Sequence, residues 1–152
     1  MFEIESKDPE EIVLTTKQTK IKFNLADESI DANLNVGKIF GPGEFEIGDV
    51  AIRGISTENN DKTIYDAVVG NTHIGILGNV EESLALDELG IADVLCTSSV
   101  RAVREIEPKL VVAMGNIDGM VTDLKLAPRT EKKLKVKNKD ALPAALEVVA
   151  LT

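Results

Sequence analysis

The first half of the chain alternates between apolar and polar residues, a pattern typical of half-buried β-strands. Within residues 11–25, Ile21, Phe23 and Leu25 are each separated by one polar residue. This segment predicts a strand that pairs in a hairpin and turns one face toward a core. A weaker alternation over residues 31–40 predicts a further strand.

Glycine-containing turns divide the next part of the chain into short strands. The sequence GPGEF at 41–45 predicts a tight turn rather than a phosphate-binding loop, because no Gly-Lys-Ser/Thr follows it and it leads into a strand. The predicted strands are 45–47 and 50–52, joined at Gly48-Asp49, and 63–69 and 72–77, joined by a two-residue hairpin turn at Gly70-Asn71.

The second half of the chain changes to a strand, helix and strand succession, which is typical of parallel neighbours. Residues 92–97 and 109–115 are apolar runs that predict buried strands, and between them a helix is predicted with Ser98 or Ser99 as its cap. Hairpins followed by this unit predict two stacked sheets with helices outside. Further predicted elements are a short helix within residues 82–90, with Ser83 as a possible N-cap and Gly90 at its end, a weak helix over 120–126, and strands over 132–136 and 146–151.

Composition fits one folded domain spanning residues 1–152, since 43% of the residues are hydrophobic and no apolar run approaches the length of a membrane span. A net charge of -9 and only 3% aromatic residues argue against nucleic acid and anionic membranes as partners.

The lysines at 132–139 alternate with apolar residues and predict the solvent face of a strand. The single cysteine, Cys96, is expected to be a small buried hydrophobe, and the cytoplasm is the expected location.

Five segments follow one another between Ile39 and Leu151: GPGEFEIGDVAIRGIS, NDKTIYDAVVGNTHIGILGNVEE, ADVLCTSSV, EIEPKLVVAMGN and KLKVKNKDALPAALEVVAL. In this order they resemble a branch of the metallo-β-lactamase superfamily that holds small, lactonase-related, zinc-dependent hydrolase-like proteins. The resemblance implies an α/β (α+β) αββα sandwich, rich in β-structure, with two to three short helices. Residues 1–38 do not match clearly and are too few for the family's first half, so the resemblance implies a truncated domain with a divergent N-terminal part and a family-like core over 39–152.

The resemblance also implies where zinc ligands should stand, and this chain lacks them. The family's His-x-His-x-Asp-His motif is absent, and the sequence has one histidine in total. The family's His-Leu-Gly-Asp is matched by residues 76–79, so Asn79 stands in place of a metal-bridging aspartate. Its Pro-Met-His-Tyr is matched by residues 113–116, so Gly115 stands in place of a histidine. We therefore expect no metal and no other cofactor.

The remaining polar residues offer few other possibilities for chemistry. His73 and Ile76 fall on opposite faces of the predicted strand, which favours a solvent-facing or hydrogen-bonded histidine over a ligand. The carboxylates could form a site for a hard cation, and Glu44 with Glu46 would share a strand face, although surface acids are expected in so acidic a chain. The remaining candidates line the former metal-site loops by analogy and could bind a small ligand: Asn79, Ser98, Ser99, Gly115 and Asn116.

Three functions follow from these expectations. The leading hypothesis is a non-catalytic scaffold or interaction module, a homo-oligomer or partner of another protein, since a shortened two-sheet fold should expose a sheet edge. The second is a small-ligand sensor at the former active-site loops. The third is a divergent metal-dependent hydrolase.

Overall fold

The computed structural model describes residues 1–32, 37–58 and 61–152, which form fourteen strands and three short α-helices. The strands are β1 (Phe2–Asp8), β2 (Glu11–Thr15), β3 (Lys20–Asn24), β4 (Ser29–Ala32), β5 (Lys38–Phe40), β6 (Gly43–Ile47), β7 (Val50–Ser56), β8 (Thr63–Val69), β9 (Thr72–Gly78), β10 (Val94–Thr97), β11 (Leu110–Ala113), β12 (Arg129–Glu131), β13 (Leu134–Val136) and β14 (Glu147–Leu151). The helices are α1 (Ser83–Leu89), α2 (Val100–Ile106) and α3 (Asp118–Leu124), and residues Lys139–Ala141 form a 3₁₀ turn.

The strands build two sheets that stack on each other. A six-stranded antiparallel sheet has the order β13-β1-β2-β3-β4-β5, and an eight-stranded sheet has the order β12-β14-β11-β10-β9-β8-β7-β6. In the larger sheet β6 to β9 are antiparallel, whereas β9, β10, β11, β14 and β12 all run in the same direction. The carboxyl ends of these five strands therefore meet at one edge of the sheet.

The inner faces of the two sheets form the main core. Alternate residues of the smaller sheet, such as Ile12 and Phe23, are fully buried against inward residues of the larger one, such as Ile74. Phe23 and Tyr65 pack across the interface with ring centroids 5.3 Å apart. The burial of every second residue is what the alternating sequence requires of a strand with one face in a core.

The helices lie on the outer face of the larger sheet, where they bury a second apolar cluster that includes Leu86, Leu95 and Met120. No described helix packs on the outer face of the smaller sheet, which instead carries charged side chains such as Glu3, Lys22 and Lys133. Lys133 Nζ lies 3.2 Å from Glu3 Oε2, and the two side chains form an ion pair. No helix of the described residues is long and apolar enough to cross a membrane.

The sequence-based predictions of strands and helices are confirmed in most of the chain. The hairpins around Gly48 and Gly70, the parallel pairing of β10 with β11, the burial of Cys96 and the Ser99 cap of α2 are all present. The predicted strand through 31–40 lies partly outside the described residues.

Some boundaries were predicted wrongly. Ser83 is the first residue of α1 rather than its cap, since Glu82 holds the N-cap position and makes no side-chain cap hydrogen bond. The predicted weak helix over 120–126 begins at Asp118, and the strand predicted from Lys132 begins at Leu134. Strands β1 and β12 were not predicted.

Candidate functional site

A cavity of about 300 Å³ opens where the parallel strands end, and we call it the strand-end cavity. Residues that follow β9, β10 and β11 form one side of it, and the β1–β2 turn, the end of β3 and the start of β8 form the other. Its lining residues are Pro9, Glu10, Leu25, Lys62, Thr63, Leu77, Gly78, Asn79, Val80, Ser98, Met114, Gly115 and Asn116. The volume lies at the lower end of the range of small-molecule sites.

Gly78, the last residue of β9, links the end of this strand to the end of β10 through hydrogen bonds. Its φ of 59° is left-handed, a backbone conformation that glycine adopts without steric penalty. The turned carbonyl oxygen of Gly78 accepts hydrogen bonds from the Thr97 hydroxyl at 2.8 Å and from the Ser98 N–H at 2.9 Å. These bonds hold Asn79 and Ser98 side by side at the cavity.

Asn79 is exposed, and its side chain faces a cation from the neighbouring strand. Lys62 Nζ donates a hydrogen bond of 3.3 Å to Asn79 Oδ1. Lys62 immediately precedes β8, which runs antiparallel to β9 and so begins beside the end of β9. Sequence reasoning missed Lys62, because only the pairing of β8 with β9 brings it to the candidate residues.

Gly115 and Asn116 form the turn after β11. Gly115 has a φ of 71°, and a Cβ at this position would come within 3.8 Å of Pro9 Cβ. Asn116 Oδ1 accepts a hydrogen bond of 3.0 Å from the Asp118 N–H, which fixes the turn at the start of α3. The backbone of this turn thus approaches the β1–β2 turn across the mouth of the cavity.

The β1–β2 turn supplies the opposite wall. Asp8 Oδ1 accepts a hydrogen bond of 2.9 Å from the Glu10 N–H, and the Glu10 carbonyl accepts one of 2.8 Å from the Leu25 N–H. These contacts place Pro9 and Glu10 at the cavity. Lys62 and Glu10 are the charged residues in the described lining, so the charges on the wall balance.

This chain resembles a known protein in its three-dimensional structure. Protein-family models and curated proteins give no match to this chain. Among solved structures, the chain matches a crystal structure from Thermotoga maritima, provisionally named as a Zn-dependent hydrolase of the metallo-β-lactamase superfamily, with a TM-score of 0.71 over 99% of both chains at 17% identity. The chain has a metallo-β-lactamase fold. Because the match spans 99% of this chain, it includes the N-terminal strands that the sequence resemblance left out.

The strand-end cavity of this metallo-β-lactamase fold does not offer the donor set of a zinc site. Structural and catalytic zinc sites need three or four converging His, Cys, Asp or Glu side chains. In residues 1–32, 37–58 and 61–152 no group of three such residues could hold a metal ion. The described lining contains one carboxylate, Glu10, together with amides and hydroxyls.

Ser99 is the one candidate residue that does not line the cavity. Its Oγ accepts a hydrogen bond of 3.1 Å from the Ala102 N–H and donates one of 2.9 Å to Glu81 Oε2. It is 6% exposed and caps α2. The structure thus brings together Asn79, Ser98, Gly115 and Asn116 and assigns Ser99 to the helix.

His73 lies on the helix-side face of β9, away from Ile76, which faces the inner core. Its Nδ1 is 3.4 Å from Asp66 Oδ1, and Arg53 Nη2 is 3.4 Å from Asp66 Oδ2. Burial raises the pKa of the Asp66 carboxyl, and the nearby His73 and Arg53 oppose this only in part. The histidine belongs to this cluster with Asp66 and Arg53 and not to the strand-end cavity.

Proposed function

We propose that this chain is a non-catalytic protein of the metallo-β-lactamase fold that binds a small polar molecule in the strand-end cavity. The observation that carries the proposal is that Asn79, Ser98 and Asn116 meet in one cavity, which they line with two amides and a hydroxyl group. Amides both donate and accept hydrogen bonds, so they suit an organic ligand better than a dication.

The charges of the cavity favour a ligand without net charge. Lys62 could attract an anion, but Glu10 lines the same cavity and Lys62 already donates to Asn79. Lys62 would attract an anionic ligand, whereas Glu10 would repel it. A molecule with hydroxyl or amide groups can hydrogen-bond to Asn79, Ser98 and Asn116 without this conflict.

Thermal-shift screening tests ligand binding. We expect that at least one uncharged sugar, nucleoside or polyol stabilises the protein in a saturable way, whereas the corresponding phosphates bind no better. Asn79→Ala should weaken that binding roughly three- to tenfold, the effect of one hydrogen bond. Asn71→Ala, in the exposed β8–β9 turn, is the matched control and should leave the Kd unchanged. An equal Kd for wild type and Asn79→Ala would count against the cavity.

Elemental analysis tests the absence of catalysis through a metal. The purified protein should contain less than stoichiometric zinc, iron or manganese, because its described donors do not converge. Near-stoichiometric metal that a chelator removes together with a hydrolase activity would instead support the divergent-hydrolase hypothesis.

A scaffold or interaction role is the second candidate, and the exposure of Phe40 favours it. Phe40 is 62% exposed on β5, the edge strand of the smaller sheet. Large apolar side chains on open edges mark association sites. If a cytoplasmic homo-oligomer forms through this edge, light scattering at micromolar concentration should give a dimer mass, and Phe40→Lys should give a monomer. A wild-type monomer would count against this role.

A further inference from the structure

The two sheets have four edge strands, and β6 differs from the other three. Strands β5, β12 and β13 are each three residues long, and each contains a basic residue, namely Lys38, Arg129 or Lys135. Short length and cationic side chains, lysine above all, keep edge strands from pairing with other chains. Strand β6 has five residues, and its charged residues are two glutamates, Glu44 and Glu46. It therefore lacks both kinds of protection.

The backbone of β6 has unpaired hydrogen-bonding groups on its outer side. Ile47 and Val50 pair across a two-residue turn, so their N–H and C=O groups bond to each other, and those of Phe45 likewise bond to β7. The N–H and C=O groups of Glu44 and Glu46 therefore point away from β7, and no described residue bonds to them. An extended segment placed alongside β6 can bond to both N–H groups and both C=O groups.

The side chains of Glu44 and Glu46 lie together on the outer face of the larger sheet without a counter-charge. Both residues are exposed, and neither side chain forms a hydrogen bond or an ion pair with a described residue. Arg53 of β7 is opposite Glu44, but its Nη2 lies 3.4 Å from Asp66 Oδ2 and donates a hydrogen bond of 3.1 Å to the Leu89 carbonyl oxygen. The two carboxylates of β6 are thus available to a cation.

The two faces of β6 differ, so they define the pattern of a strand that could be added beside it. On the outer face, a groove of about 530 Å³ runs over β6, β7 and β8, and Glu44 and Glu46 form part of its lining. On the inner face, Phe45 is half-buried at the margin of the main core. Since successive side chains of a strand point to opposite faces, an added strand with basic residues outside and apolar residues inside would match both.

The same acids disfavour a second copy of β6 as the partner. Antiparallel pairing of two β6 strands about Phe45 would bring Glu44 of each copy opposite Glu46 of the other. Like charges directly opposite each other destabilise a sheet, whereas opposite charges stabilise it. A segment with lysine or arginine at these positions would instead form opposite-charge pairs in the same register.

We propose that β6 binds an extended segment of another protein, with alternating basic and apolar residues, as a ninth strand of the larger sheet. The backbone groups of Glu44 and Glu46 supply the hydrogen bonds, and their carboxylates select basic residues. This interaction surface is separate from the strand-end cavity and from β5, so it stands or fails independently of the proposed function.

A labelled peptide tests binding to the full chain. The probe is Lys-Val-Lys-Ile-Lys-Val-Lys with blocked ends, and fluorescence anisotropy measures its Kd. Saturable binding should weaken about threefold or more when NaCl is raised from about 50 to about 300 mM, because salt screens exposed charges. The peptide with glutamate in place of lysine should not bind. Failure of the lysine peptide to bind at millimolar concentration would overturn the proposal.

Amide hydrogen exchange distinguishes strand addition from charge attraction alone. The Glu44 and Glu46 amides should exchange at least about tenfold more slowly with bound peptide, whereas the Phe45 amide, already bonded to β7, should exchange slowly with or without it. Binding that leaves exchange at Glu44 and Glu46 unchanged would rule out strand addition. Protection of both amides in the protein alone, increasing with its concentration, would also overturn the proposal and would identify a second copy as the partner.

Charge reversal tests the selection of basic residues. Glu44→Lys together with Glu46→Lys should weaken peptide binding about fivefold or more, since attractive pairs become repulsive ones. The matched control, Asp118→Lys together with Asp123→Lys at exposed positions of α3, changes the net charge equally and should keep the Kd within about twofold. Thermal unfolding checks that both variants are folded. Equal weakening by the two pairs would show that binding follows net charge and not β6.

Discussion

Asp66 is an acidic residue whose side chain is buried next to two basic side chains. It is 5% exposed on the helix-side face of β8, between Arg53 of β7 and His73 of β9. Burial is the main cause of its raised pKa, so the two nearby bases compensate only part of the loss of hydration. The cluster is therefore expected to contribute little to stability at neutral pH.

The raised pKa gives a prediction about pH. The folded protein holds the Asp66 proton more tightly than the unfolded chain, whose carboxyl has the ordinary pKa of 3.8. The stabilisation from this group is thus complete below that value and is lost as pH rises through the higher folded pKa. Asp66→Asn, which does not titrate, should be more stable relative to wild type at pH 7 than at pH 3.5 in urea unfolding. The opposite ranking would mean that the ion pairs outweigh burial.

At the scale of elements, the serines near the starts of α1 and α2 have different roles. Ser99 caps α2 through the Ala102 N–H, whereas Ser83 is already inside α1 and contacts Arg101. A cap satisfies a backbone donor that the helix itself cannot. The two seven-residue helices therefore begin in different ways, α2 with a side-chain cap and α1 without one.

Substitution of the two serines tests this difference. Ser99→Ala should lower the free energy of unfolding by about 1 kcal/mol, the usual effect of losing an N-cap. Ser83→Ala should change it by less than about 0.5 kcal/mol, as surface substitutions do. Urea titration of both variants measures the difference. Equal effects would show that Ser99 contributes no more than a surface hydroxyl.

Two glycines differ in the space around them. A Cβ at Gly75 of β9 would meet Leu95 Cδ1 at 2.9 Å and Leu89 Cδ2 at 3.2 Å, whereas a Cβ at Gly119 of α3 would meet no described atom within 4 Å. Gly75→Ala should therefore destabilise the protein by about 1–3 kcal/mol through overpacking of α1 on the sheet. Gly119→Ala should stabilise it by about 0.5–1 kcal/mol, since alanine favours helix. Thermal unfolding should show midpoints that move in opposite directions.

Elements with a local pattern were predictable, and those defined by distant pairing were not. The alternation around Phe23 and the Gly70-Asn71 turn predicted β3 and the β8–β9 hairpin. Phe2 and Ile4 also alternate with acids, so β1 could have been predicted from the same pattern. The strand β12 has the sequence RTE and no apolar residue, so only its parallel pairing with β14 defines it.

At the scale of the whole molecule, each sheet covers the inner face of the other. Asn79, Ser98, Gly115 and Asn116 could be predicted as neighbours, because the ends of parallel strands meet at one edge. Pro9, Glu10 and Lys62 could not, since they reach the cavity through the stacking of the smaller sheet and the antiparallel return of β8. The site is thus made by both sheets together.

This mutual covering predicts that the family-like part does not fold alone. A chain of residues 39–152 would lack β1 to β4 and would leave Ile52, Tyr65 and Ile74 exposed to water. The free energy that this burial contributes is larger than the free energy of unfolding of a typical domain, which is about 5–15 kcal/mol. Circular dichroism with urea should show no cooperative transition for the fragment and a single one for residues 1–152. A cooperative transition of the fragment would instead show that residues 39–152 fold without β1 to β4.

The pairing of β1 with β13 has a consequence for synthesis of the protein. Phe2 pairs with Val136 and Ile4 with Leu134, so β1 must wait for partner residues that are synthesised well over a hundred residues later. A ribosome adds about 5–20 residues per second, which leaves that edge of β1 open for several seconds or more. During this time β1 and β2 can form a hairpin, but the smaller sheet cannot be completed. Completion of the smaller sheet therefore waits for the synthesis of β13, and until then the growing chain is most exposed to aggregation or chaperone binding along this edge.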